Sequence, residues 1–162
     1  MNEIARILDQ MDRPFGGEAW HGPALRKLLE GLSAEDASRH RIPGAHSVWE
    51  LVNHIAAWNQ IVSRRALGEK VDVTAEMDWP PVREISDAAW TQTQERLKES
   101  RRAQRSVVEQ LSDNQLTRRV QGEQQTYSMY VMLHGLVQHD LYHAGQIAIL
   151  KKAIPLEKKA TA

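Results

Sequence analysis

Cysteine is absent from this chain of 162 residues. Its absence excludes disulfides, thiolate catalysis, iron–sulfur clusters and Cys-ligated zinc, so any metal has to be held by His, Asp or Glu. An excess of charge is missing too, because 21 Lys plus Arg balance 21 Asp plus Glu. No long-range field draws in a polyanion, and nucleic acid is not an expected partner. The opening MNEIARILDQMDR lacks the continuous apolar stretch and cleavage site of a signal peptide, so a cytoplasmic location is expected. No glycine-rich phosphate loop, dinucleotide fingerprint or nucleophile motif is found. A membrane partner is not expected either. The one long, weakly charged stretch, Gln124 to Leu150, carries His134, His139, His143, Gln138 and Gln146, a polar load that suits a buried helix of a bundle better than a lipid-facing one.

What is present is a globular composition, 41% hydrophobic and 26% charged. One domain over residues 1–162 is expected, large enough to fold without staples. Helical periods recur along it. Ile4, Ile7, Leu8 and Met11 mark a helix over about residues 2–13, ended by Pro14, Gly16 and Gly17. Leu25, Leu28, Leu29 and Leu32 mark a shorter one after Pro23, and SAEDAS one further turn. Ser47 and Glu50 form a capping box, after which Val48, Leu51, Val52, Ile55, Trp58, Ile61 and Val62 keep the helical period until Gly68. Residues 69–85, with Pro80 and Pro81, show no period. Ser86 opens a charged helix to Leu111 whose middle, including the basic run KESRRAQR, is expected to face solvent. The last helix is expected from Thr126 or Ser128 to Ala153, closed by Lys151, Lys152 and Pro155, with VQGEQQTY before it able to pair as an irregular hairpin. The fold class is all-α, a helix bundle with connections long enough for crossovers and parallel neighbours.

The seven histidines are the residues best suited to chemistry. His139 and His143 stand one turn apart on a single helix face, with Cβ atoms about 5–6 Å apart, a spacing that suits one metal ion. Such a pair also arises by chance, and a histidine facing a helical core is more often a packing residue. Burying two imidazoles unsatisfied costs about 1–3 kcal/mol per group, however, so partners are expected. A third ligand has to come from another helix, and His54, set among Val52, Ile55 and Trp58, is the candidate.

The runs WHGPAL, GAHSVWELVNHIAAWN and HGLVQHDLYHAGQIAILKK closely resemble the DinB/YfiT-like superfamily of metal-dependent proteins, over nearly the whole chain. The most specific part is one histidine in the second long helix and an H-x-x-x-H pair in the last, matched by His54, His139 and His143. The resemblance implies a four-helix bundle with unusual connectivity, often a homodimer, holding a divalent metal such as nickel or zinc between helices. It also implies relatives that are thiol-dependent transferases and isomerases using low-molecular-weight thiols.

Other residues are candidates beside these. Glu50, one turn before His54, serves either as a base near the metal or only in the cap. Asp140, the sole carboxylate of the last helix, orients a ligand ring or pairs with another buried group. Gln146 contacts a bound water or a neighbouring helix. His46 and His21 lie in loops, His40 is expected to be exposed, and His134 is expected to pack away from the pair. Gly135, Ala144 and Gly145 permit close helix approach. Two functions follow. In one, a three-histidine metal with an open position lowers the pKa of water or of a thiol and acts on a small molecule, by hydrolysis or thiol-dependent transfer, at a mouth near Trp20, His21, Trp79 and the 69–85 connection. In the other, the bundle is non-catalytic and binds a metal or ligand, with His46 or Glu50 as a fourth ligand closing the shell.

Overall fold

The side chain of Asn2 accepts from the backbone of Ala5 at 2.9 Å and starts helix α1, Glu3–Phe15, which buries Ile4, Ile7, Leu8 and Met11. Two short helices follow, α2 (Leu25–Leu29) and α3 (Ala34–Ser38). The capping box is formed as expected, Glu50 N–H donating to Ser47 Oγ at 3.2 Å and Ser47 N–H to Glu50 Oε2 at 2.8 Å, and opens α4, Val48–Ala66. The stretch without a period contains one turn, α5 (Ala75–Asp78), capped by Thr74. Ser86 caps α6, Asp87–Glu109. A 3-10 turn, Asp113–Thr117, then leads to the hairpin β1 (Arg119–Gln121) and β2 (Thr126–Ser128), paired antiparallel. This computed structural model describes residues 1–122 and 125–160, so Glu123 and Gln124 of the expected hairpin lie outside the described residues. Helix α7 runs Met129–Ala160, past the expected end at Ala153. A proline's fixed φ is itself helical, and Pro155 removes one backbone hydrogen bond without stopping the helix.

The fold is all-α, and the four long helices form the bundle. Helices α1 and α4 each pack against both α6 and α7. Chain neighbours α1 and α4, and likewise α6 and α7, therefore sit across the bundle from each other, and the long connections are the crossovers. Two apolar clusters show the helix directions. One joins Val48–Ile55 of α4 with Trp90 and Leu97 of α6 and Ala144–Ile154 of α7. The other joins Val62 and Ala66 of α4 with Val108 of α6, Met129–Leu136 of α7 and the face of α1. Helices α4 and α6 thus run the same way and α7 runs against them, an arrangement of parallel neighbours that short loops do not allow.

Between the clusters lies a polar layer, and here the middle of α6 corrects the expectation of a solvated face. Ser100, Arg101 and Gln104 are buried. Asn59 donates to Ser100 Oγ at 3.1 Å, and Gln104 donates to the Asn59 carbonyl at 3.3 Å. Arg101, inside the basic run, pairs with Asp140 at 3.0 Å and donates to Gln104 Oε1 and to the Met11 carbonyl. Hydropathy hides this face because it meets polar partners on three other helices. The small residues of α7 also divide: Ala144 is in the core, but a Cβ on Gly135 or Gly145 meets nothing within 4 Å, so neither glycine serves a close helix approach inside the chain. Among the described residues, no helix is long and apolar enough to cross a membrane.

Candidate metal centre

The antiparallel packing of α4 on α7 carries His54 to the face that presents His139 and His143. Among the described residues these three form the group able to hold a metal ion, with one ring nitrogen from each, all within 4.8 Å of one another. His54 and His143 are buried and His139 is half-buried. The ring of His139 lies 4.4 Å from that of His143 and 4.9 Å from that of His54, centroid to centroid.

Hydrogen bonds from behind orient two of the rings. His54 Nδ1–H donates to the backbone carbonyl of Asp78 at 2.6 Å. A carbonyl only accepts, so the proton sits on Nδ1 and the Nε2 lone pair faces the cluster. That carbonyl is free because α5 ends at Asp78, and the last carbonyls of a helix have no partner within it. His143 Nδ1–H donates likewise to Gln146 Oε1 at 2.7 Å. Metal-binding histidines commonly have such a partner on the far nitrogen. The Asp78 carboxylate accepts from Trp58 Nε1–H at 2.8 Å, which ties α5 to α4.

Electrostatics keeps the group uncharged. Burial, reinforced by its two neighbours, pushes His139 down to about 3, and burial holds His54 and His143 below the ordinary imidazole value. Near neutral pH, uncharged rings therefore point nitrogens at each other, and His54 Nε2 lies 2.9 Å from His139 Nε2. In the metal-free chain a neutral His139, whose buried Nδ1 has no hydrogen-bond partner, carries its proton on Nε2 and donates it to the His54 Nε2 lone pair, and a cation between the rings takes that proton's place. The donor set, neutral imidazoles with no carboxylate among them, fits a borderline divalent ion such as zinc or nickel.

The remaining candidates lie elsewhere. Glu50 is held in the cap and receives His40 at 2.9 Å and His46 at 3.4 Å on the same oxygen. Asp140 is fully buried against Arg101, and burial raises its carboxyl to about 6 despite that partner. His134 packs on Tyr130, 4.2 Å between centroids, and His40 is exposed, both as expected. Trp20 is 100% exposed and is not among the rings that contact the triad histidines. Trp79 does belong at the centre. Its indole lies between His46 at 3.5 Å and His54 at 3.9 Å, nearly parallel to both. Asp78 was not singled out by the sequence and Gln146 only as a contact of open purpose. The available signal for Asp78 was the short Thr74-capped turn halted by Pro80, which leaves unpaired carbonyls.

An all-α bundle with a histidine triad between antiparallel helices is thus the class that fold and site define. A model of the DinB superfamily matches residues 19–147, and the chain belongs to that superfamily. Its fold is similar to the crystal structure of a conserved protein from Enterococcus faecalis, with a TM-score of 0.71 at 17% identity over 94% of this chain and 97% of that one. Among curated proteins none matches significantly.

Proposed function

We propose that the chain is a divalent-metal-dependent enzyme that acts on a small molecule, by hydrolysis or by transfer involving a low-molecular-weight thiol, with His54, His139 and His143 as metal ligands. The observation that carries this reading is the convergence of three uncharged ring nitrogens, two of them aimed from behind by carbonyl oxygens. A bound nickel or zinc ion supplies Lewis acidity, which lowers the pKa of water or a thiol and polarises an electrophile. The chain's own groups do the positioning. Asp78 and Gln146 fix ring orientation, and the Trp79 indole covers one face of His54. Because the chain has no cysteine, a thiol has to arrive as a cosubstrate.

The alternative is a non-catalytic bundle whose metal or ligand serves the fold, for which a closed four-ligand shell is expected. The engagement of His46 with Trp79, and of Glu50 with the cap, supports the open shell instead. The reading therefore rests on the histidines, with Glu50 and Asp140 in supporting places. In the cobalt-substituted protein, a small thiol is expected to shift the visible spectrum. A spectrum indifferent to thiols and small anions favours the closed shell and sinks the catalytic reading. The proposal extends to a homodimer, as family resemblance implies, and a light-scattering mass near 18.5 kDa at micromolar concentration contradicts that part.

A further inference from the structure

One helical turn from the triad lies a cavity that shares one wall with it, the His139 ring. Trp58 follows His54 by four residues on α4, and Gly135 precedes His139 by four on α7, so each lies on the face of its own helix that carries a triad histidine. Together with Val62, Met132, Leu136 and the His139 ring they bound a cavity of 240 Å³. The Trp58 and His139 rings are 5.7 Å apart at its wall. Val131, 54% exposed, stands at its mouth. Among the described residues nothing fills it, and a Cβ on Gly135 points into open space.

Its walls offer carbon. Tyr127 also lines the cavity, but its hydroxyl is bonded to Arg65 Nη1 at 3.1 Å, and the Trp58 N–H is given to Asp78. Apart from the His139 ring, the described lining residues leave no polar side chain to address an occupant. The volume equals about eight water molecules' share of the liquid. It falls short of the roughly 300 Å³ at which pockets begin to enclose a whole drug-sized ligand. A larger cavity of 410 Å³, bordered by Arg83, Arg96, Glu76 and Glu84, touches none of the three histidines.

We propose that this cavity receives the apolar tail of the substrate and so sets the substrate class: a small molecule whose reactive, metal-seeking head sits at the triad and whose tail is a short alkyl chain or a single ring. The proposal rests on the metal-site reading for the head, while the tail site stands on the cavity alone.

The test is calorimetric titration of zinc-loaded protein with alkylhydroxamates from acetohydroxamate to octanohydroxamate, and of metal-free protein with hexanol. Affinity is expected to rise about fourfold per methylene until the cavity is full, near six carbons. Gly135→Leu, which puts a side chain into the cavity and favours the helix, is expected to collapse the ratio of hexano- to acetohydroxamate affinity towards one. Val131→Glu at the exposed mouth is expected to lower that ratio without relying on a core substitution. Affinity independent of chain length in the unsubstituted protein, or a ratio that survives both substitutions, overturns the tail site. If the protein takes up no zinc yet binds hexanol in a manner that Gly135→Leu abolishes, the tail site stands and the metal reading fails. If Val131→Glu instead splits a dimer and no tail dependence exists, a second copy covers the cavity and the proposal is wrong.

Discussion

Burial takes the His139 ring to about 3, against about 6.5 for an exposed imidazole, and this difference has a consequence for the metal-free chain. Below pH 6.5 the unfolded chain takes up a proton at this position that the folded one refuses. Folding stability is thus lost as pH falls from 6.5 towards 3, with His54 and His143 acting in the same direction. Asp140 acts oppositely. Its carboxyl, raised to about 6, adds stability at low pH that is lost as pH rises through that value. A comparison of the chain with its His139→Gln variant isolates the histidine contribution. With metal removed, the fall in urea midpoint between pH 7 and pH 5 is expected to be smaller in the variant. An equal fall means that His139 titrates as an ordinary exposed ring.

At the scale of elements, α6 shows what a sequence does and does not disclose. His54, His139 and His143 were legible because each sits on a strongly periodic helix, and a pair four residues apart shares a face whatever the rest of the fold does. The capping box of α4 was legible for the same local reason. The buried face of α6 was not, because Ser100, Arg101 and Gln104 look solvent-bound until Asn59, Asp140 and the Met11 carbonyl are placed opposite them. Asp78 was hidden likewise, its role residing in a backbone carbonyl at the end of a single turn. Arg101 provides the check on α6. Arg101→Leu leaves Asp140 buried and alone, and is expected to cost about 3–5 kcal/mol of unfolding free energy by chemical denaturation. A cost within about 0.5 kcal/mol, as for an ordinary surface arginine, contradicts the buried assignment.

Over the whole molecule, the bundle consists of two apolar clusters with a polar layer between them. The triad occupies the part of that layer shared by α4 and α7, and the Arg101–Asp140 pair the part facing α6 and α1. The crossovers make this possible, since they set α4 against α7 in antiparallel register and bring α5 back over His54. A bundle that turns three uncharged imidazoles towards one another offers a cation one ring nitrogen from each, and metal uptake is where the account is most exposed. Elemental analysis of the purified protein and of His143→Ala is the direct measurement. The account predicts about one divalent ion per chain, nickel or zinc, in the unsubstituted protein and loss of most of it in the variant, since removing one of three ligands leaves too few donors. Full occupancy retained by His143→Ala, or no divalent metal in either protein after metal supplementation, contradicts it.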